Sequence, residues 1–112
     1  IAKADSSIWE VHDAKKKHYA YTSLAAARGF CDAAAIAAKA GKPETAHYQQ
    51  VASKIKTGFL ATFADSQGAL GGSTEELGTG QYLDGAVVEA FTWNILPDFT
   101  NNTVFVQLRK TF

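Results

Sequence analysis

Residues 24–40 read LAAARGFCDAAAIAAKA, a stretch in which only Arg28, Asp32 and Lys39 carry charge. Alanine has the highest intrinsic helix propensity and loses no side-chain entropy on ordering, so the stretch predicts a helix. Arg28 and Asp32 fall one turn apart on one narrow stripe, which leaves most of the remaining circumference apolar. A surface helix carries a broad polar face, so this one is expected inside a larger structure. Thr22 or Ser23 is expected to cap its start, and Gly41 followed by Pro43 to end it. Glycine takes the left-handed C-terminal position, and proline opens the next helix.

Residues 44–63 form a different kind of helix. Tyr48, Val51, Ile55, Phe59 and Phe63 recur on one face, with Gln50, Ser53, Lys54 and Thr57 elsewhere, so one side meets water. A buried helix joined by a tight turn to an amphipathic one is the unit expected where inner and outer helices alternate. Residues 64–83 hold Asp65, Ser66, Gly68, Gly71, Gly72, Ser73, Gly78 and Gly80 and read as a long loop. Loops of that length are usually functional or disordered. Asp84 is expected to cap a third helix through about Leu96, ended by Pro97. A fourth helix from about Asn101 to Phe112 competes with a strand, because Val104, Phe105 and Val106 suit either. The fold class is all-α, built of helical hairpins. Residues 1–112 read as a single helical segment with too little amphipathic surface to cover two largely apolar helices. The missing neighbours are expected from the rest of a longer polypeptide or from another copy of the chain.

At 112 residues the chain has the size of one small domain or part of one. Formal net charge is zero and the cations are scattered apart from Lys15, Lys16 and Lys17. Nothing there draws a phosphate backbone or an anionic membrane, so nucleic acid and membrane are excluded as partners. Charges interrupt the apolar stretches well short of the ~20 residues that span a bilayer. The lone cysteine, Cys31, rules out an intrachain disulfide and reads as a small buried hydrophobe. The chain begins at Ile1, contains no methionine and shows no charged and then apolar leader. It is therefore expected to have been processed or cut from something longer.

The segment Ser6-Ser7-Ile8-Trp9-Glu10-Val11-His12 sets a carboxylate beside an indole. A glutamate against an aromatic wall loses hydration of its charged form, its pKa rises, and it can stay protonated to act as a general acid. Taken alone, this pairing also fits an exposed Glu beside a buried Trp. Ser7-Ile8-Trp9-Glu10-Val11, a short polar stretch, His18-Tyr19-Ala20-Tyr21-Thr22 and then an alanine-rich helix together resemble the family-15 glycoside hydrolases, the glucoamylases, glucodextranases and related trehalases. The likeness runs on through Phe59-Leu60-Ala61-Thr62-Phe63 and Leu70-Gly71-Gly72-Ser73, with the Trp-Glu core as its specific part.

The resemblance implies an (α/α)₆ toroid of which this chain forms part, with the alanine-rich helix running through the centre. It also implies an inverting, exo-acting hydrolase that releases glucose from α-glucans or oligosaccharides without cofactor or metal. Glu10 would be its general acid, and Trp9 would line the sugar site. The chain departs from the family pattern at Val11, where many members carry a second acid, at Ser7, where an Asp stands, and at His12, where Arg is common. Inversion needs a second carboxyl to activate water about 6.5–9.5 Å from the acid. The family's base lies beyond this chain, which alone is expected to be inactive. Glu75, Glu76, Asp84 and Glu89 match no base motif, and helix capping accounts for Asp84 and solvation for the others. The alternative function is a non-catalytic helical interaction or sugar-binding module.

Other constellations point nowhere specific. His12, Asp13 and His18 lack zinc spacing and read as solvated. Gly71-Gly72-Ser73-Thr74 lacks the Gly-Lys ending of a phosphate loop. Lys15 to Lys17 read as a solvated turn, and Asn101-Asn102-Thr103 is a glycosylation sequon.

Overall fold

The computed structural model describes residues 1–8, 15–79 and 84–96. Within them the chain is helical, with isolated bridges and no strand. Helix α1 spans Ala20–Lys39 and helix α2 spans Thr45–Phe63, packed together as a hairpin. A 3₁₀ turn, Gly85–Val88, runs directly into a short helix α3, Glu89–Thr92.

The turn between α1 and α2 follows the expected chemistry. Gly41 sits at φ 63°, its N–H donates to Ala38 O at 3.1 Å, and Lys42 N–H donates to Ala37 O at 2.8 Å. This paired pattern satisfies carbonyls that the helix end would otherwise leave orphaned. Arg28 and Asp32 pair across one turn at 2.9 Å.

Two expectations are corrected. Helix α1 starts earlier than Thr22, after Tyr19, and no side chain caps it. Its first amide, Ala20 N–H, donates instead to Gly72 O at 2.8 Å, while Ser23 is buried and its Oγ accepts from Ala2 N–H at 3.3 Å. The third helix is short and ends before Pro97. Asn94 takes φ 53° and donates to Phe91 O, and Ile95 N–H donates to Ala90 O, each at 3.1 Å. Asparagine tolerates the left-handed conformation best among non-glycine residues, so it terminates the helix. Among the described residues α1 is covered closely over its first half and thinly toward Gly41. Ala34 and Ala37 are buried, while Ile36 is 69% exposed. Pro97 and the segment expected to form a fourth helix, with its sequon, lie outside the described residues.

The core sits at one end of the hairpin. Ala20, Leu24 and Ala27 of α1 meet Phe59 and Phe63 of α2, Leu70 from the loop, and Val87, Ala90, Phe91, Ile95 and Leu96. Phe59 and Phe63 pack ring against ring at 5.1 Å. Each large side chain buried here contributes about 2 kcal/mol. Toward Gly41 the interface thins to Ala34, Ala37 and Ala52, with Phe30 against Tyr48 at 6.1 Å. None of the described helices is long and apolar enough to cross a membrane.

Candidate functional site

The loop after α2 is ordered by its own polar groups. Asp65 Oδ1 accepts from Gln67 N–H at 2.8 Å and Ala69 N–H at 2.9 Å, closing a turn that drops Leu70 into the core. Gly71 and Gly72 then pass close to neighbouring chain, Gly72 against an atom fixed to the backbone and Gly71 against the end of a side chain. A Cβ on Gly72 would stand 2.7 Å from Asp84 Cβ, and one on Gly71 2.6 Å from Leu77 Cδ2. This close passage brings Ser73, fully buried, beside Tyr19 in an antiparallel bridge.

The chain preceding α1 is thereby held from two sides. Asp5 and Lys17 exchange backbone hydrogen bonds of 2.9 and 3.1 Å, and Thr74 N–H donates to His18 O at 3.1 Å. Glu75 grips His18 twice: Oε2 accepts the backbone N–H at 3.0 Å and Oε1 meets Nδ1 at 2.6 Å. Glu76 Oε1 pairs with Lys17 Nζ at 2.8 Å, and its Oε2 accepts from Ser73 Oγ at 2.7 Å. The two neighbouring carboxylates face different partners, Glu75 the His18 ring and Glu76 the Lys17 ammonium.

Partial burial pushes the Glu75 carboxyl up. Hydrogen bonds from the His18 ring, the His18 and Glu75 backbone N–H groups and the Thr74 hydroxyl outweigh this and hold it down at about 2. The Lys17 ammonium holds Glu76 below the usual carboxylate range against partial burial, with the Ser73 hydroxyl adding to it. Carboxylates kept ionised and fully engaged have no proton to give and accept one poorly near neutral pH. Glu75 and Glu76 are thus fasteners rather than an acid or base. This corrects the expectation that solvation accounts for them, and the expectation that Lys17 and His18 are simply solvated. The partners are 57 to 59 residues apart, beyond any local pattern. One usable signal was Ser73-x-x-Glu76, a capping-box spacing that announces local order. Asp84 behaves as expected, its Oδ1 accepting from Ala86 N–H at 2.9 Å.

Trp9 and Glu10, the expected wall and acid, lie outside the described residues, as do His12 and Asp13. What is described is the frame on either side of them. Ahead stands Ser7 at φ 57°, held by an N–H bond to Asp5 Oδ1 of 2.7 Å. A left-handed conformation at a non-glycine residue stores about 1 kcal/mol or more. Behind stands Lys17, locked by Asp5 and Glu76. Among the described residues no three His, Cys, Asp or Glu side chains converge to hold a metal ion. No family model, curated protein or solved structure matches the chain.

Proposed function

We propose that this chain is a segment of an inverting glycoside hydrolase of the glucoamylase type, with Glu10 as general acid and Trp9 as a wall of the glucose site. What carries the proposal is the order of residues. A Trp-Glu pair is followed by an aromatic-threonine pair and an alanine-rich helix, and the segment that holds Trp-Glu leaves and re-enters the fold through a fixed frame. Asp5 and Lys17 pair backbone to backbone, so the span between them is anchored at both limbs. A general acid needs such anchorage, because misplacement of about 1 Å costs up to a hundredfold in rate. The α1–α2 hairpin is the repeating unit of a helical toroid, and the uncovered apolar face of α1, with Ile36 at 69% exposure, fits a helix that further hairpins enclose. The catalytic base comes from outside this chain, which alone is inactive.

The experiment is Glu10→Gln in the intact enzyme, with turnover measured on a maltose-type disaccharide and on an activated aryl glucoside. General acid catalysis contributes roughly 10²–10⁴-fold, so turnover of the disaccharide falls by about that range, while the aryl glucoside, whose leaving group needs less protonation, loses less. Equal turnover of the disaccharide by the two proteins removes Glu10 from the mechanism.

A further inference from the structure

The thin end of the hairpin holds a trough between its two helices. Its floor is Ala34 of α1 and Ala52 of α2, both buried, and alanine leaves open the space that a larger residue would fill. The trough has a volume of about 410 Å³, within the range of small-molecule sites. Because α1 and α2 run antiparallel, Cys31 and Lys56 mark one end of it and Ala38 the other. The stretch of helix from Cys31 to Ala38 is about 10 Å long.

The charge at the Cys31 end has no counterpart. Lys56 is half-buried and makes no ion pair or hydrogen bond with any described residue. Helix α2 carries no Asp or Glu along its whole length, and among the described residues no acid lines the trough. A cation in partly apolar surroundings attracts an anion more strongly than one in open water. Ser53, one turn before Lys56, adds a hydroxyl on the same flank. A single ammonium lacks the several donors that a phosphate gathers. No aromatic ring among the described residues lines the trough for a sugar to stack on. The fitting occupant therefore has one negative charge at its head and a plain hydrocarbon tail.

We propose that the trough between α1 and α2 is a binding site for a medium-chain aliphatic carboxylate, its head on the Lys56 ammonium and its tail over Ala34 and Ala52 toward Ala38. Exposed Ile36 lies roughly 200° around α1 from Ala34, so the site is separate from the face that further hairpins would enclose. It stands whether or not Glu10 is a general acid.

Cys31 is the sole cysteine of the chain and lines the trough, so the rate of its alkylation by iodoacetamide reports occupancy. Sodium octanoate, added to the full chain below its micelle-forming range, is expected to slow alkylation at least about fivefold at saturation. Octanol, with the same tail and no charge, binds about tenfold more weakly, as loss of a charged hydrogen bond does. Lys56→Gln weakens octanoate by the same factor and leaves octanol unchanged, and Ala38→Leu, which fills the tail end, weakens both. Lys54→Gln, which removes an exposed cation outside the trough, changes neither. Alkylation unaffected by octanoate overturns the proposal, as does octanoate binding Lys56→Gln as tightly as wild type. Protection that grows with protein concentration in the absence of octanoate also overturns it, because a second copy then fills the trough. Should Lys56→Gln lose its helical circular dichroism, the wild-type comparison decides: octanoate tighter than octanol supports the site, and equal affinity overturns it.

Discussion

Gly72→Ala is expected to destabilise the fold by about 2 kcal/mol, whereas Gly71→Ala next to it costs less than about 1 kcal/mol. Both added methyl groups meet something too close, but the things they meet differ. At Gly72 the obstacle is Asp84 Cβ at 2.7 Å, an atom fixed to the backbone, so relief to ordinary contact moves the chain at Asp84 or at Gly72 itself. Either movement breaks something. Asp84 caps the 3₁₀ turn through Ala86 N–H, a cap of about 1 kcal/mol, and Gly72 O holds the first amide of α1. Overpacking adds about 1–3 kcal/mol, and the smaller unfolded-state entropy of alanine returns about 0.4–1 kcal/mol. At Gly71 the obstacle is Leu77 Cδ2 at 2.6 Å, the end of a partly buried side chain that can turn away. The assay is urea unfolding of the two variants and wild type, followed by circular dichroism. For a chain of this length, 2 kcal/mol lowers the melting midpoint by roughly 8 °C. A Gly72→Ala protein as stable as wild type, or one more stable than Gly71→Ala, would refute the view that this close passage holds the loop against the 3₁₀ turn.

Two further outcomes follow from the same geometry. Because Glu75 is held at about 2 against an ordinary 4.5, its contribution is full above pH 4.5 and fades as pH falls toward 2. With about two fifths of each partner side chain exposed the contribution is about 1 kcal/mol, and wild type minus Glu75→Gln stability measured between pH 6 and 2.5 should shrink accordingly. Gly41→Ala meets no atom within 4 Å but sits at φ 63°, so it should cost about 1–2 kcal/mol through backbone strain alone, read as a lowered urea midpoint with an unchanged slope.

How far the sequence disclosed this structure depended on where each partner lay. The end of α1 was legible because glycine at the left-handed position and the carbonyls it satisfies are neighbours in sequence. The same holds for Asp84 over Ala86, for Arg28 with Asp32, and for the face that brings Phe59 onto Phe63. The start of α1 was not, because its first amide is satisfied by Gly72 from across the fold and Ser23, which looks like a cap, is drawn into the core. The stop of α3 at Asn94 was written in the sequence but masked by the stronger breaker at Pro97. Glu75 and Glu76 looked solvated because nothing near them in sequence offers a cation; the clasp exists only once Gly71 and Gly72 let the loop approach.

The core and the clasp lie at the same end of the hairpin, and the physical reason is a division of side-chain size along α1. Its first half carries Leu24 among small residues that admit Phe59, Phe63 and Phe91, so loop and 3₁₀ turn are drawn in over that end. Its second half buries only alanines against Ala52, and contact there is thin. Rigidity is thus concentrated where Asp5, Lys17 and His18 are fastened, while the far half of α1, with Ile36 uncovered, gives the fold little stability of its own. The backbone pairing of Asp5 with Lys17 and the bonds of His18 to Thr74 and Glu75 all meet the fold at this stiff end.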